Sequence, residues 1–140
     1  MDLEKIVELY RYMLTARKVD ELEEQAVRRG EAFFHIAGSG HEGSVALAPH
    51  LIEDDYLHLH YRSKALMLAR GTPPQYFFDM VFCKDAPGNR GRQMSAHLSD
   101  AERNILSIPG PVGNSGLQAV GIAEAIANLL ETKIMQSRAS

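Results

Sequence analysis

The stretch Asp54-Asp55-Tyr56-Leu57-His58-Leu59-His60-Tyr61-Arg62 decides the fold prediction, because it joins a strand pattern to two side chains suited to anion binding. Leu57, Leu59 and Tyr61 fall on one face of an extended chain, and one tyrosine and two histidines fall on the other. A helical pattern follows at once, from Ser63 to Arg70. The stretch therefore predicts a strand that leads directly into a helix.

Helical patterns make up most of the remaining chain. Asp2 is suited to cap the first helix, and Gly30 is suited to stop it. A second short strand is predicted at Asn104–Ile108. Strands that alternate with helices favour an α/β fold, a parallel sheet flanked by helices, which is incomplete because only two or three strands are visible. The other helical segments are about 41–50, about 73–82 and 117–130.

Three side-chain environments are also predicted. The last helix carries so few charges that it is expected to be nearly buried. Cys83 is expected in the middle of a helix and in the core. Arg17 and Asp20 lie three residues apart, so they are expected to pair with each other or with a neighbouring element.

The composition excludes several classes of protein. The 140 residues are 45% hydrophobic and 24% charged, with a formal net charge of −3, which gives no reason to expect nucleic-acid binding. The single cysteine excludes an internal disulfide. No apolar run approaches the ~20 residues of a membrane span, and acidic residues near the start argue against a signal or transit peptide. A cytoplasmic protein without membrane contact is predicted.

Tyr61 and Arg62 are the first candidate ligand-binding residues. Side chains at the C-terminal end of a strand in an α/β sheet point into the crevice where ligands bind. Arginine offers a planar fork to phosphate oxygens, and the tyrosine hydroxyl can donate to the same group. The alternative is an arginine that only caps an acidic neighbour.

Gly110-Pro111-Val112-Gly113 is the second candidate site. The glycines let the backbone of Gly110 approach a flat ligand, and the side chain of Val112 could support an apolar ring face. The alternative is a plain strand-to-helix connection. The loop is neither a GxGxxG fingerprint nor a P-loop.

The histidines were considered as metal ligands. His58 and His60 share one face of the predicted strand, and three more histidines, His35, His41 and His50, are available. No Cys, Asp or Glu stands at a recognisable ligand spacing beside them. No metal ligand and no catalytic nucleophile is therefore predicted, although a small histidine-rich metal-binding protein stays an alternative.

Four motifs in order carry a family resemblance. Gly40-His41-Glu42-Gly43, Tyr61-Arg62-Ser63-Lys64, Gly91-Arg92-Gln93-Met94-Ser95-Ala96-His97 and Gln118-Ala119-Val120-Gly121 together resemble the alpha subunit of the thiamine-diphosphate-dependent E1 component of 2-oxo acid dehydrogenase complexes. The Gly-Arg-Gln-Met run is similar to the branched-chain (2-oxoisovalerate) type, including versions in which alpha and beta are fused. The resemblance covers about Ile6 to Leu130.

The resemblance implies the N-terminal part of a thiamine-diphosphate-binding fold. Residues 1–140 then form a single partial domain, with a helical arm at about 1–30, the start of the cofactor-binding part at about 31–132 and a polar tail at 133–140. It implies that Tyr61 and Arg62 contact the diphosphate and that Gly110 and Val112 address the aminopyrimidine ring. The implied substrate-pocket residues are Phe34 and His35.

The resemblance also implies the chemistry of a complete parent enzyme. Such an enzyme uses thiamine diphosphate with Mg²⁺ to decarboxylate a 2-oxo acid, and it passes the acyl group to lipoyl-E2. The E1 beta subunit, or a beta half, supplies the activating glutamate. The Gly-Asp-Gly segment and the later Asn that hold Mg²⁺ in the family are absent from this sequence, so an inactive fragment is expected. The alternative is a degenerate subunit-docking module without catalysis.

Overall fold

The computed structural model describes residues 2–86 and 90–139, which are mostly helical. Within these residues four α-helices follow in chain order: α1 (Leu3–Arg28), α2 (Lys64–Ala69), α3 (Pro74–Val81) and α4 (Asn114–Ala139). Two 3₁₀ helices, Glu42–His50 and Ala101–Arg103, lie between them. The chain divides into two compact units, Met1–Gly110 and Pro111–Ser140. The predicted extents of arm, cofactor-binding part and tail stay predictions.

The two ends of α1 have the caps that the sequence predicts. The Asp2 carboxylate accepts a hydrogen bond from the Lys5 N–H at 2.8 Å, which satisfies one of the free donors of the first turn. At the other end Gly30 takes a left-handed φ of 74°. Its N–H donates to the Val27 carbonyl, and the Glu31 N–H donates to the Ala26 carbonyl. These two hydrogen bonds together form the Schellman motif, whose left-handed residue is accommodated by glycine without strain.

The core of the first unit forms where α1 packs against α2, α3 and the 3₁₀ helix Glu42–His50. The predicted helices at about 41–50, 63–70 and 73–82 are thus confirmed, with small shifts of their ends. Pro74 at the first position of α3 has no N–H to satisfy, which explains that start. The buried apolar residues of the cluster are Ala16, Val19, Val45, Leu57, Ala65, Met67, Leu68, Phe77, Met80, Leu98, Ile105 and Ile108.

The predicted sheet is not seen in the described residues, which is a correction to the α/β prediction. The described part of the chain has only single-residue bridges: a parallel bridge between Leu57 and Ile105 and an antiparallel bridge between Asp100 and Ile105. The Leu57 N–H donates to the Asn104 carbonyl at 2.8 Å. The 56–61 stretch buries Leu57 as its alternation predicts, but a strand needs a neighbour along its whole length. No described segment supplies one.

A buried ion cluster joins α1 to α2. The Lys64 ammonium, 1% exposed, contacts the Asp20 carboxylate at 2.7 Å and also contacts the Glu23 carboxylate. The Ser39 hydroxyl donates to Asp20 at 3.0 Å. Arg17 pairs instead with Glu42 at 2.6 Å, so Arg17 and Asp20 each bind a neighbouring element. Two carboxylates thus share one buried ammonium. Burial raises the pKa of Glu23 to about 7, because the charge of Asp20 adds to the effect of burial and Lys64 opposes it only in part.

Gly38 brings the 37–39 segment against the backbone that follows Tyr61. A Cβ atom at Gly38 would lie 2.8 Å from the Arg62 carbonyl oxygen and 3.6 Å from an Asp20 carboxylate oxygen. Only glycine permits this approach. The Arg62 guanidinium Nη1 donates to the Ala37 carbonyl at 2.5 Å in the same region.

The prediction for Cys83 is wrong. Helix α3 ends at Val81, and Cys83 lies beyond it with a left-handed φ of 50° and an exposed side chain. The Gly91 backbone lies so close to the Cys83 carbonyl that a Cβ there would be 2.8 Å away. The turn at Cys83 is therefore accompanied by a contact with Gly91, eight residues later. The local helical pattern did not predict this turn.

The second unit consists mainly of α4, which extends into stretch 133–139 of the predicted tail. The predicted burial of this helix is wrong, because its large apolar side chains are exposed: Leu117 by 81%, Val120 by 65% and Leu129 by 63%. Among the described helices, none combines the length and hydrophobicity that a membrane crossing requires.

The first prediction concerns the pH dependence of folding. The raised pKa of Glu23 means that the folded state holds a proton that the unfolded chain releases above about 4.5. The stability gained from this proton is full below pH 4.5 and is lost as the pH rises to about 7. Urea unfolding at pH 4.5, 6 and 8 should show a smaller fall in unfolding free energy for Glu23→Gln than for the wild type. The half-exposed Glu24→Gln variant should keep the wild-type fall; equal slopes in all three proteins contradict the prediction.

A matched pair of glycine substitutions tests the approach of Gly38 to Arg62. Gly38→Ala should lower the unfolding free energy by about 2 kcal/mol, the usual cost of overpacking a close contact. Gly43→Ala, with open space around its new Cβ, should change it by less than about 1 kcal/mol. Urea denaturation of both variants at one pH gives the comparison, and equal losses would show that the Gly38 contact is not tight.

Candidate functional site

Tyr61 lies in a row of aromatic rings immediately before α2. Its ring centroid is 4.0 Å from that of His60 and 5.0 Å from that of His97. His60 in turn stacks on His41 with centroids 6.4 Å apart. The Arg62 guanidinium carbon lies 5.4 Å from the Tyr61 ring centroid, which is within cation–π distance. Four rings and one cation thus meet where the extended segment ends.

The Arg62 guanidinium is held at one nitrogen and open at the others. Nη1 donates to the Ala37 carbonyl, and the Arg62 backbone N–H donates to Nδ1 of His60 at 3.2 Å. Nε and Nη2 have no hydrogen-bond partner among the described residues. No carboxylate pairs with Arg62 in the described part of the chain, so the structure does not favour the alternative in which this arginine only caps an acidic neighbour. Its position leaves donors for an anionic ligand.

His97 presents a buried nitrogen that has no hydrogen-bond partner among the described residues. Its Nδ1 lies 2.9 Å from the Ser95 carbonyl oxygen, which can only accept, so Nδ1 carries the proton of the neutral ring. Nε2 then holds a lone pair, and no hydrogen-bond donor reaches it from the described residues. A Cβ atom at Gly110 would lie 3.7 Å from this Nε2, so the Gly110 backbone passes beside it.

The ring row combines an uncharged His60 with the fixed positive charge of Arg62. Burial lowers the pKa of His60, and electrostatic interaction with Arg62, His41 and His97 lowers it further. His60 is therefore uncharged at neutral pH, and its Nδ1 is free to accept from the Arg62 N–H. The positive charge of the site comes from Arg62.

An open cleft borders the ring row. It has a volume of about 410 Å³, and Glu42 lies beneath one wall, where it accepts a hydrogen bond from the Gly40 N–H at 2.8 Å and pairs with Arg17. Burial raises the pKa of Glu42, but backbone hydrogen bonds and Arg17 outweigh it and lower the pKa overall. Glu42 is thus an ionised structural group that shapes the cleft. The lining residues are Gly40, His41, Gly43, Ser44, His60 and Ser63.

Phe34 and His35 occupy different surroundings. Phe34, 44% exposed, lines a separate cavity of about 260 Å³ together with Met80 and Met94. His35 is half-buried and does not line that cavity. Phe34 therefore lines a cavity and His35 does not, and the role of both residues in a substrate pocket stays a prediction.

The two residues of the predicted ring-binding loop fall in different units. Gly110 ends the first unit beside His97, close to the Tyr61 row. Val112 lies in the second unit, where its side chain is 77% exposed. The structure therefore brings together Tyr61, Arg62 and Gly110 of the predicted cofactor residues.

Metal binding has no support within the described residues. No group of three or more His, Cys, Asp or Glu side chains in residues 2–86 and 90–130 could hold an ion. His58 and His60, which share one face of the predicted strand, therefore acquire no third ligand in those residues. His60 contributes instead to the ring row.

Local sequence patterns do not reveal the roles of His97 and Lys64 in this site. His97 ends the quoted Gly91–His97 motif, so a signal existed, but nothing local shows that this residue reaches Tyr61. Lys64 follows the Tyr-Arg pair by two residues, and its burial depends on two carboxylates 41 and 44 residues earlier.

Known proteins resemble this chain over most of its length. A profile of the family described as "Dehydrogenase E1 component" matches residues 10–137. The 2-oxoisovalerate dehydrogenase subunit alpha of Bacillus subtilis (strain 168) is 34% identical over 125 residues, which cover 87% of this chain and 38% of that protein. The mitochondrial 2-oxoisovalerate dehydrogenase subunit alpha of Homo sapiens is 29% identical over 123 residues, covering 87% and 28%.

The chain thus spans less than two fifths of the length of the curated relatives it matches. The match nevertheless includes each predicted cofactor and pocket residue, from Phe34 to Val112. It confirms the resemblance drawn from the four motifs. The chain belongs to the dehydrogenase E1 component family, and its relatives are alpha subunits of the branched-chain, 2-oxoisovalerate type.

Proposed function

We propose that this chain is the N-terminal part of an E1 alpha subunit and supplies contacts to the diphosphate of thiamine diphosphate. The observation that carries the proposal is the Arg62 guanidinium, which keeps Nε and Nη2 free of described partners beside the Tyr61 ring. Family membership supports the choice of cofactor.

The residues fit an anionic, aromatic group in two ways. Arg62 has donors left for phosphate oxygens, and the Tyr61 hydroxyl can donate to the same group. The buried His97 Nε2 is an acceptor without a described partner beside the Gly110 backbone. Gly110 and Val112 are proposed to address the aminopyrimidine ring, and Phe34 and His35 to shape the 2-oxo acid pocket.

The charge balance supports a contributing role for this chain and not a complete site. A diphosphate carries more negative charge than one guanidinium neutralises, and the neutral His60 adds none. The described residues do not fit the Mg²⁺ ion of the family, since they offer no cluster of oxygen ligands. Weak binding of the cofactor by this chain is the expected consequence.

The reaction proposed for the complete enzyme is the decarboxylation of a branched-chain 2-oxo acid with acyl transfer to lipoyl-E2. Thiamine diphosphate, when bound, supplies the carbanion chemistry of that reaction. The residues of this chain orient the diphosphate and neutralise part of its charge. The proposed partners are the E1 beta subunit, or a beta half, and lipoyl-E2. A cytoplasmic location stays a prediction, because the named relatives include mitochondrial proteins.

A second candidate is a subunit-docking module without catalysis. The observation that favours it is the exposed apolar surface of α4, where Leu117, Val120 and Leu129 are each more than 60% exposed. Patches of this kind mark surfaces that bind another protein. The small residues between Ala119 and Ala127 would let a partner helix approach closely.

Removal of the Arg62 charge tests the cofactor contact. Arg62→Gln should weaken thiamine diphosphate binding at least tenfold, since a charged hydrogen bond contributes about 1.5–3 kcal/mol. Isothermal titration calorimetry measures the dissociation constant, with unphosphorylated thiamine as a second ligand whose affinity should not change. The surface variant Arg28→Gln is the matched control. Equal affinities of Arg62→Gln and wild type for thiamine diphosphate would remove Arg62 from the site.

Activity assays test the expected division of labour. The purified chain, given 2-oxoisovalerate, thiamine diphosphate, Mg²⁺ and an artificial electron acceptor, should release no CO₂ above the protein-free rate. Turnover by the pure chain contradicts the proposal. A complex with an E1 beta subunit at a defined ratio, without cofactor binding, would instead favour the docking module.

A further inference from the structure

Helix α1 has two apolar faces, and only one of them packs against its own core. The inner face carries Ala16 and Val19, with Leu9, Tyr12 and Met13 partly buried beside them. The opposite face stays exposed, although α1 is confirmed as a helix from Leu3 onward. Its apolar side chains are Leu3 (74% exposed), Ile6 (46%), Val7 (42%), Tyr10 (57%) and Leu14 (45%).

The exposed residues form a continuous stripe, here called the outer stripe: Leu3, Val7, Tyr10 and Leu14, with Ile6 on its edge. Successive members are four, three and four residues apart, which is the spacing of a two-helix seam. At 3.6 residues per turn the stripe points away from the side that carries Ala16 and Val19. It extends over about 17 Å of helix, enough for two or three layers of paired side chains.

Charges along one edge of the outer stripe indicate what covers it. Glu4 and Arg11 lie on the same edge, seven residues apart, and neither has an ion pair among the described residues. The other edge carries Ile6 and Met13. An antiparallel copy of the helix places Tyr10 of the second copy against Val7, and Leu14 of the second copy against Leu3. This register sets Glu4 of each copy near Arg11 of the other.

A parallel arrangement of two copies lacks this complementarity. Facing edges in a parallel pair are of opposite kind, so Arg11 would meet the Ile6 edge of the second copy. Charge complementarity therefore selects the antiparallel pair, in which the Glu4–Arg11 edge of one copy faces the same edge of the other.

We infer that the outer stripe of α1 is a self-association surface, on which a second copy of this chain docks its own α1 in antiparallel orientation. The apolar layers supply the attraction, and the two Glu4–Arg11 pairs set orientation and register. The surface is small compared with stable interfaces, so the dimer forms in the micromolar range or above. The inference does not depend on the proposed cofactor role.

Charge reversal in sedimentation equilibrium tests the inference with the full chain. The wild type should show a monomer–dimer equilibrium, and Glu4→Arg or Arg11→Glu should each weaken it about tenfold or more. The double variant Glu4→Arg/Arg11→Glu should return to within about threefold of the wild type, because the pairs are restored with exchanged charges. Lys5→Glu, an exposed change outside the stripe, is the control.

Cross-linking in a Cys83→Ser background tests the orientation. A mixture of Leu3→Cys and Leu14→Cys chains should form a disulfide-linked heterodimer, whereas Leu3→Cys alone should not link to itself. Circular dichroism confirms that each variant is helical. A wild type that is monomeric at all concentrations, a dimer indifferent to both charge reversals, or self-linking of Leu3→Cys would each overturn the inference.

Discussion

The contact on which the rest of the first unit depends is the buried ammonium of Lys64 between Asp20 and Glu23. It joins α1 to the first residue of α2, and the Phe77 ring of α3 lies 5.6 Å from the same ammonium. A buried ion cluster is costly unless its geometry is satisfied, so it selects one arrangement of these helices more than it adds net stability.

The candidate site follows from that arrangement. Asp20 also accepts from Ser39, which holds the 37–39 segment near the Arg62 carbonyl and brings the Ala37 carbonyl to the Arg62 guanidinium. Arg62 stands two residues before Lys64, so the anchoring of α2 also restrains Arg62. The ring row of Tyr61, His60 and His97 then lies beside the fixed cation of Arg62, an environment suited to an anionic aromatic ligand.

The features of the fold that have a local cause could be predicted from the sequence. Asp2, Gly30 and Pro74 act within one turn of their own helix, and each marks a boundary within one or two residues of the predicted one. The family motifs were also recognisable in the sequence, because a motif is defined by the order and spacing of its residues. The absence of a sheet from the described residues could not be predicted in this way. The alternation at 56–61 describes a side-chain pattern, whereas a strand also requires a second segment beside it. The prediction that α4 is buried was wrong for a related reason, because a helix poor in charge becomes buried only if another segment covers it.

By itself, the sequence determined the family of this protein, the boundaries of α1, the start of α3 and the Tyr61–Arg62 pair as a binding candidate. These depend on motifs and on interactions between residues close in the chain. Only the tertiary structure decided that Lys64 is buried between two carboxylates, that His97 reaches Tyr61, and that one apolar face of α1 stays exposed. Each of these depends on which side of an element meets another, and on contacts between residues that lie tens of positions apart.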